Sequence, residues 1–416
     1  MNESVGAEIG NAVLVVTRKD LFPTDHGAAV KIIRTAEALA RLGMPVVLCT
    51  DDRRRYYLFG GEGMTIQEYP WWIRYLGLPR PLALLRLLAA GFPFSNAFLY
   101  FPHKDISYFV RSLFLAKRHG IRRYLAEFPA YVEPLAAVRK RLGGRIVLCE
   151  HNVEYERLHA QIKGLSTRSY RVLRHYELQM CLLADAVVAV SEPDRCTLQA
   201  AGVPAARLHR IPHGVDLHGF RKAAVIDVRR HFGLSPGSLL LVYHGTYSYG
   251  PNLQAMQFMA AEILPRLLAA GLEVEVLAIG SKAPKEQLHA AIHFAGAVED
   301  LATVLPAADL AVVSLLEGGG TRMKILDYFA AGVPVISTTK GIEGIPATDG
   351  VEALICDGAE ALVAAVIELA TDKQRAASLR DAALRFVGEL SWDSIAQRYV
   401  PLLTGVASEH TEKALD

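Results

Sequence analysis

Short, continuously apolar segments alternate with helix-length amphipathic segments along most of this chain. In the first half the apolar segments read NAVLVV, PVVLCT, RIVLCE and AVVAVS. A strand that is apolar on both faces needs cover on both faces, and intervening helices supply that cover in a parallel sheet. The alternation therefore predicts an α/β fold with a doubly wound parallel sheet.

The first helical segment is predicted over residues 28–42. Its apolar residues recur at the i, i+3, i+4, i+7 spacing of a helix that packs one face on a core. The apolar positions are Ala29, Ile32, Ile33, Ala36, Leu39 and Ala40. The charged residues are predicted to face away from the core, and they are Lys31, Arg34, Glu37 and Arg41.

The alternation starts again after RIPHGVDLHGF, with the strands LLLVYHG, VEVLAIG, IHFAG, LAVVSLL, PVIST and EALIC. For 416 residues this indicates two domains. We assign residues 1–210 to a first Rossmann-like domain and 211–390 to a second, with both facing a central cleft. Residues 391–405 are predicted to form a helix that packs back on the first domain, followed by a frayed tail over 406–416.

The composition excludes several classes of protein. The chain has no CxxC pair and no His at ligand spacing, which argues against a zinc site or a disulfide framework. The five cysteines are Cys49, Cys149, Cys181, Cys196 and Cys356. The sequence shows no signal-peptide pattern and no run of 18 apolar residues. We expect a cytoplasmic protein.

Charge is distributed unevenly along the chain. Residues 1–210 carry 29 Lys and Arg against 19 Asp and Glu, whereas 211–416 carry 16 against 24, so the net charge is +2. A basic first half is consistent with an acidic partner, and equally with an ordinary solvated surface.

The stretch EGGGTRMKILDYFAAGVPVIST joins a predicted strand to a predicted helix. Glycine allows positive φ and lets a ligand approach the backbone, and the free amides of a helix start attract an anion. Gly318, Gly319 and Gly320 form the turn, and Arg322 and Lys324 add full charge beside it. The pattern indicates a phosphate-binding site.

Asp327 lies one turn beyond Lys324 on the same helix face, where a carboxylate can accept hydrogen bonds from a ribose diol. The alternative is a glycine turn beside a surface Lys–Asp pair, and spacing alone leaves that alternative open.

The whole stretch, with GIEGI after it, resembles the donor-site motif of retaining glycosyltransferases of family 4, which have the GT-B fold. It is most similar to the branch whose motif reads GG-G-T-R-x-K-x-L-E-A. Other segments resemble that branch in the same order: CEHNVEYERL, VVAVSEPDRCTL, RIPHGVD, YHGTYSYGPNLQAMQFMAAEILP, LAIGS, IHFAGAVEDL and LSWDSIAQRY.

The resemblance implies transfer of a sugar from a UDP- or GDP-linked donor to a hydroxyl acceptor, with retention, without a metal and without a cofactor. Asp327 stands where the family has a ribose-binding Glu. Gly319 stands where many members have a Glu that binds the sugar, and Glu317 is the nearest carboxylate. The predicted donor-binding residues are Gly27, His244, Gly245, Gly280, Glu317, Gly318, Gly319, Gly320, Thr321 and Asp327.

The catalytic residues that the resemblance implies are His151, Arg322 and Lys324. The cations would stabilise the departing diphosphate, and His151 would contact the transferred sugar or the acceptor. The predicted acceptor-side residues are Asp25, His26, Arg34 and Glu154. For Asp25 and His26 the alternative is a helix cap beside a surface imidazole.

The segment over 71–94 combines Trp71 and Trp72 with Arg74, Arg80 and Arg86 among many leucines. Such a segment can lie on an anionic membrane surface, or it can cover the sheet of the first domain with its cations solvated. Lipid-linked acceptors are common in the family. We therefore expect a glycan, lipid-linked or small-molecule acceptor, possible peripheral association with the inner membrane face, and no nucleic acid.

Three other functions are considered. A GT-B nucleotide-sugar epimerase shares the predicted fold, but would need acid and base carboxylates in the cleft. A non-catalytic two-domain sugar-binding protein of periplasmic type would need an export signal. A nicotinamide oxidoreductase would show GxGxxG after the first strand, which VVTRKDLFPTDHG does not.

Overall fold

The computed structural model describes residues 11–18, 21–22, 27–75, 80–92, 105–162, 164–318 and 321–406. The chain forms two compact units. The first takes in the chain up to His213 and the segment from Trp392 onward, and the second is Gly214–Ser391. The chain therefore leaves the first unit once and returns to it for its last helix, Trp392–Thr404.

The sheet of the first unit has eight strands in the order β4-β3-β2-β1-β5-β6-β7-β8. At one edge β3 pairs antiparallel with both β2 and β4, and the remaining pairs are parallel. The strands are β1 Val13–Val16, β2 Val46–Cys49, β3 Arg55–Gly60, β4 Gly63–Glu68, β5 Arg123–Glu127, β6 Arg145–Glu150, β7 Ala186–Ala189 and β8 Leu208–Arg210.

Helices connect the parallel strands of this unit and, together with the last helix, pack on its sheet. They are α1 Gly27–Arg41, α2 Trp71–Arg74, α3 Arg80–Ala89, α4 Ile106–Arg118, α5 Val132–Leu142, α6 Glu154–Gln161, α7 Thr167–Leu183 and α8 Glu192–Ala200. Short 3₁₀ turns lie at Pro129–Tyr131 and Ala205–Arg207. From the last helix, Leu402 accepts a hydrogen bond of 2.6 Å from Arg145 Nε in β6.

The sheet of the second unit has six strands, all parallel, in the order β11-β10-β9-β12-β13-β14. They are β9 Leu239–His244, β10 Val274–Ile279, β11 Ile292–Gly296, β12 Leu310–Val313, β13 Val335–Ser337 and β14 Leu354–Ile355. Both sheets show the predicted alternation of strand and helix, and the predicted fold class is confirmed.

The helices of the second unit are α9 Leu217–Lys222, α10 Val228–Phe232, α11 Gly250–Phe258, α12 Leu264–Ala269, α13 Met323–Ala330, α14 Ala359–Thr371 and α15 Lys373–Gly388. A π-helical turn, Met259–Ile263, joins α11 to α12, and 3₁₀ turns lie at Leu301–Thr303 and Leu305–Ala307. Five side chains of α13 are buried in the core of this unit: Ile325, Leu326, Tyr328, Phe329 and Ala330.

Helix α1 buries its predicted apolar face, but one of its charged residues is buried as well. Arg34 and Arg41 are exposed as predicted. The prediction that Lys31 faces away from the core is wrong, because its side chain is only 3% exposed. The ammonium lies 2.8 Å from the carboxylate of Glu127, which ends β5 and compensates the buried charge.

Helices α2 and α3 leave large apolar side chains uncovered. Trp71 and Tyr75 are 75% and 84% exposed, and Leu85 is 62% exposed. Leu87 and Ile73 are buried and hold the two helices against the unit. No helix in the described part of the chain is both long enough and apolar enough to cross a membrane.

His213 is the residue at which the chain first leaves the first unit, and its imidazole is buried. Its Nδ1 has no hydrogen-bond partner among the described residues. Burial, with His151 and Lys31 adding to the effect, lowers the pKa of His213 to about 3. The imidazole is therefore neutral wherever the protein is folded at moderate pH.

We predict that His213 makes the fold sensitive to acid. An unfolded histidine takes up a proton below about pH 6.5, while the buried one does not do so until near pH 3, so the free energy of unfolding falls as the pH falls. In His213→Gln this dependence should weaken by about 1.4 kcal/mol per pH unit between roughly pH 6 and 4. Urea unfolding at several pH values across that range measures how the unfolding free energy changes with pH.

The matched control is His218→Gln, at an exposed position five residues further along. Its unfolding free energy should follow the wild-type dependence on pH. Equal slopes in wild type and His213→Gln would contradict the prediction, whatever the absolute stability of the variant.

Candidate functional site

The strand order of the second unit defines where a ligand can enter its sheet. Strand β9 lies between β10 and β12, and the chain continues from β9 towards one edge and from β12 towards the other. The loops that follow β9 and β12 therefore diverge and leave a crevice at the carboxyl end of the sheet, the usual ligand position in such folds. Residues 245–249 and 314–322 are these loops.

Two glycines hold the loops after β9 and β10 against each other. Gly245 and Gly280 both have φ of +146°. A Cβ on Gly280 would lie 2.1 Å from the carbonyl oxygen of Gly245, so the backbones touch with no room for a side chain. A Cβ on Gly245 would lie 3.2 Å from Lys324 Nζ. Gly245 and Gly280, two of the predicted donor-binding glycines, thus line one backbone surface that ends at Lys324.

Lys324 lies in the first turn of α13 and reaches across to the loop after β9. Its Nζ donates to Oδ1 of Asn252 over 2.8 Å and lies 3.8 Å from the ring centroid of Tyr243. The Tyr243 hydroxyl donates to the same Oδ1 over 2.7 Å, and Asn252 Nδ2 donates to the carbonyl of Thr246 over 2.8 Å. Asn252 therefore fixes the ammonium to the loop.

Among the described residues, no carboxylate lies close enough to the Lys324 ammonium to offset its burial. Burial, then Arg322, lowers the pKa of Lys324 well below its ordinary value, and Asp327 offsets this only in part. The side chain still keeps part of its surface accessible. An anion bound beside Nζ would restore the charged form, since an opposite charge favours it.

Arg322 is the residue before α13 and is buried. Its Nε donates to the carbonyl of Lys340 over 3.2 Å, and its Nη2 lies 3.5 Å from Glu343 Oε2. A Cβ on Gly318 would approach the same Nη2 to 3.3 Å. The guanidinium thus lies between Gly318 and the loop over 340–343, and Glu343 balances part of its charge.

Tyr249 explains why the turn after β12 needs glycine at its first position. Gly318 has φ of +106°, and a Cβ there would lie 2.7 Å from the Tyr249 hydroxyl. Glu317 is exposed. Thr321 Oγ1 is buried without a hydrogen-bond partner among the described residues. Gly319 and Gly320 lie outside the described residues.

Asp327 lies beside His244, the last residue of β9. The distance from His244 Nε2 to Asp327 Oδ2 is 3.3 Å. The backbone N–H of His244 donates to the Tyr328 hydroxyl over 2.7 Å, and the two rings meet edge to face. The structure therefore brings two predicted donor-binding side chains together at the rim of the crevice, one turn of α13 away from Lys324.

The first unit has its own switch point between β1 and β5, and the loops after β1, β5 and β6 lie at that edge. Gly27 begins α1 and is exposed, whereas Asp25 and His26 lie outside the described residues. Arg34 is exposed and pairs with Glu37 on the same helix. The predicted roles of these four residues stay predictions.

His151 follows β6 and is almost fully buried. Its Nε2 lies 2.7 Å from Oε2 of Glu127, and the ring of Phe128 stacks on the imidazole at 4.3 Å between centroids. Burial lowers the pKa of His151, and Glu127 opposes this shift. The imidazole is therefore held on one edge and one face.

Glu154 is buried at the first turn of α6, where its carboxylate pairs with Arg157. Its backbone N–H and that of Tyr155 each donate to the carboxylate of Glu177 over 2.9 Å. Glu177 thus caps α6 from the neighbouring helix α7 and orients the segment that follows His151.

Several residues of the two sites carry no recognisable signal in the sequence. Asn252, Tyr243 and Glu343 are contacts that depend on the folded path of the chain. Glu127 and Lys31 are separated by 96 residues. A Glu that ends an otherwise apolar strand is the one feature that could have drawn attention to Glu127.

Two parallel-sheet α/β domains of this kind, with glycine-lined loops at the carboxyl end of the second sheet, define the GT-B class of fold. Two family models match the sequence, Glycosyltransferase Family 4 over residues 26–218 and Glycosyl transferases group 1 over residues 238–372. Each model covers one part of the chain, and together they show that the chain is a glycosyltransferase. No curated protein matches it in sequence.

Solved structures show the same fold at low sequence identity. HepE from Anabaena, solved in complex with UDP, matches at 14% identity and a TM-score of 0.65, covering 95% of this chain and 100% of HepE. Sucrose-phosphate synthase from Thermosynechococcus elongatus matches at 17% identity and a TM-score of 0.68, covering 95% of this chain and 98% of the synthase. WaaG, a glycosyltransferase involved in lipopolysaccharide biosynthesis, matches at 16% identity and a TM-score of 0.61, covering 95% of this chain and 99% of WaaG.

We predict that Gly280→Ala disrupts the pair of glycine loops. The new Cβ would meet the Gly245 carbonyl, and φ of +146° is strained for alanine, so the free energy of unfolding should fall by about 1–3 kcal/mol or more. Gly237→Ala is the control, because no atom lies within 4 Å of its Cβ position, and it should stay within about 0.5 kcal/mol of wild type. Urea unfolding of both variants measures this difference. Equal unfolding free energies for Gly280→Ala and Gly237→Ala would refute the tight contact between Gly280 and Gly245.

Proposed function

We propose that this glycosyltransferase is a retaining enzyme that transfers a sugar from a UDP- or GDP-linked donor to a hydroxyl group. The acceptor is a glycan or a lipid-linked glycan of cell-surface polysaccharide synthesis. The observation that carries the proposal is Lys324, an under-compensated buried ammonium fixed by Asn252 beside Arg322 at the switch point of the second sheet. The family 4 resemblance supports retention, and HepE, which was solved with UDP and with UDP-glucose, supports the donor class.

The diphosphate of the donor would lie against the glycine turn and the start of α13. Its negative charge would meet Lys324 and Arg322, and Thr321 Oγ1 would supply a hydroxyl that is otherwise without a partner. Asp327 would accept hydrogen bonds from the ribose, with His244 orienting its carboxylate. Asp is one methylene shorter than Glu, and the imidazole of His244 lies 3.3 Å from its carboxylate.

Retention in this proposal needs no nucleophile from the protein. The acceptor hydroxyl attacks the anomeric carbon on the face that the diphosphate leaves. The bond from the anomeric carbon to the phosphate oxygen breaks, and that oxygen takes the hydroxyl proton. The protein stabilises the growing diphosphate charge with Arg322 and Lys324, which are already in place before the reaction begins. No resident metal or cofactor is required in this scheme.

We predict that UDP or GDP stabilises the protein and NADH does not. A ligand at 100 times its Kd raises the free energy of unfolding by about 2.7 kcal/mol, which thermal shift detects easily. Stabilisation by NADH alone would favour the oxidoreductase alternative. Screening nucleotide sugars for slow hydrolysis then identifies the donor. Product analysis separates transfer from epimerisation.

Substitution of the two cations tests the site itself. Arg322→Ala and Lys324→Ala should each cost about 2–4 kcal/mol of transition-state stabilisation, because each removes a group that meets developing charge. The control is Lys373→Ala, an exposed cation of the same unit, which should keep wild-type kcat/KM. Near-normal turnover in both site variants would rule out the assignment.

We further propose that the first unit associates peripherally with the inner face of the membrane, where it would meet a lipid-linked acceptor. The support is the exposed Trp71, Tyr75 and Leu85 near Arg74 and Arg86. Arg111, a basic residue further along the chain, is buried and donates to the carbonyls of Thr50 and Asp52, so it takes no part.

We predict binding to vesicles of equal parts phosphatidylglycerol and phosphatidylcholine at low salt, and little binding to phosphatidylcholine alone. Trp71→Glu combined with Leu85→Glu should abolish co-sedimentation, while Leu268→Glu, an exposed apolar position in the second unit, should not. If the doubly substituted protein still co-sediments with the vesicles, the membrane contact does not lie at Trp71 and Leu85, and the proposed surface is wrong.

A further inference from the structure

A buried set of charged side chains lies beside His151 and is not used by the mechanism above. Lys31, Glu127 and His151 are 2%, 0% and 6% exposed. They come from α1, from the end of β5 and from the residue after β6, so three separate elements converge at one edge of the first sheet. That edge is where sheets of this kind bind ligands.

Every hydrogen of the Lys31 ammonium has an acceptor. Its Nζ lies 2.8 Å from each carboxylate oxygen of Glu127 and 2.8 Å from Sγ of Cys149. Cys149 Sγ also lies 3.3 Å from the hydroxyl of Tyr399 on the last helix. The ammonium is therefore locked in place, and the pair it forms with Glu127 has no net charge.

Lys31 keeps the Glu127 carboxylate ionised. Burial works to raise the pKa of Glu127, but Lys31 and His151 lower it to about 2. An ionised carboxylate can only accept hydrogen bonds. The nitrogen of His151 that faces it over 2.7 Å must then carry the hydrogen, so Nε2 is the donor.

The neutral imidazole with hydrogen on Nε2 has its lone pair on Nδ1. Phe128 restrains the ring from its face, with 15° between the two ring planes. Phe128 itself has φ of +92°, a strained backbone conformation that non-glycine residues rarely adopt. Strain of this kind is concentrated at functional sites.

Stability alone gives little reason for these charges. A buried ion pair often contributes no more than well-packed apolar residues of the same size. The position of the Lys31–Glu127 pair against the His151 imidazole explains why the charges are there, because the carboxylate decides which ring nitrogen carries the hydrogen. We propose that Lys31 and Glu127 are positioning residues that hold His151 neutral with its hydrogen on Nε2, so that Nδ1 accepts a hydrogen bond from a sugar or acceptor hydroxyl. The catalytic part of this inference rests on the proposed transferase function.

A neutral His151 also suits the proposed reaction. Positive charge develops on the transferred sugar, and an imidazolium beside it would oppose that charge. The groups that act on the imidazole are Glu127 from β5, Lys31 from α1, Glu154 from α6 and His213, at which the chain first leaves the unit. Tyr399 on the last helix acts on Lys31. Of these, Glu127 alone contacts Nε2 directly among the described residues.

Nitrogen-15 NMR of histidine-labelled protein tests the tautomer without any assay of activity. We expect the His151 resonances, assigned by their loss in His151→Gln, to show Nε2 protonated and Nδ1 unprotonated at neutral pH. Lys31→Met leaves Glu127 unpaired, so its carboxyl should protonate and become a donor, which shifts His151 to the other tautomer. Arg41→Met, an exposed cation on the same helix, should leave the spectrum unchanged.

Kinetics test whether positioning matters. Glu127→Gln should lower kcat on the order of 100-fold, the lower end for loss of a correctly protonated catalytic group, with little change in the KM for the donor. The acidic limb of its pH profile should move, because the carboxylate no longer acts on the imidazole. Lys31→Met with Glu127→Gln removes both charges together and should fold like wild type while keeping the low kcat.

The results separate this inference from the transferase assignment. A wild-type protein that shows the Nε2–H tautomer but turns over no nucleotide sugar would refute the proposed function and leave the positioning of His151 intact. A wild-type His151 with hydrogen on Nδ1, or a folded Glu127→Gln with wild-type kcat and pH profile, would overturn the inference.

Discussion

Parallel pairing of neighbouring strands is the constraint on which both sites depend. Parallel strands deliver all their carboxyl ends to one edge of the sheet, so the loops that follow them meet there whatever their separation in sequence. In the second unit this brings the loop after β9 against the start of α13, 72 residues away at Asn252 and Lys324. In the first unit it brings Glu127 against His151 and Lys31.

Two lysines show how charge is treated differently in the two units. Lys31 is surrounded by acceptors, and although burial works to lower its pKa, Cys149 and Glu127 raise it well above the ordinary value. Lys324 has a neutral amide and an aromatic ring as neighbours, and burial with Arg322 lowers its pKa. A compensated cation fixes structure, whereas an under-compensated cation gains most from an incoming anion.

The sequence was sufficient to predict the two sheets, because apolar strands and amphipathic helices repeat in an order that few folds satisfy. It also grouped Asp327 with His244 among the predicted donor-binding residues, and the structure places these two side chains next to each other. It could not predict that Lys31 is buried. Helical spacing shows which residues share a face, but the carboxylate that makes burial tolerable is Glu127, which lies far along the chain.

The same limit applies to Arg322. Its charge and position after the glycine turn are visible in the sequence, but its pairing with Glu343 depends on how the loop after β13 folds back. The roles of Gly319 and Gly320 stay predictions.

Local placement of charge, and not the net charge of a domain, decides where an anion binds in this protein. The chain from residue 211 onward carries 16 Lys and Arg against 24 Asp and Glu, yet it holds the proposed diphosphate site. At physiological ionic strength, charges more than about 8 Å away are largely screened when they are exposed, whereas buried charges are screened far less. The acidic surface therefore contributes little at the crevice, where Lys324 and the buried Arg322 set the local potential. The excess of positive charge in the first half would instead attract a negatively charged surface or molecule that approaches it.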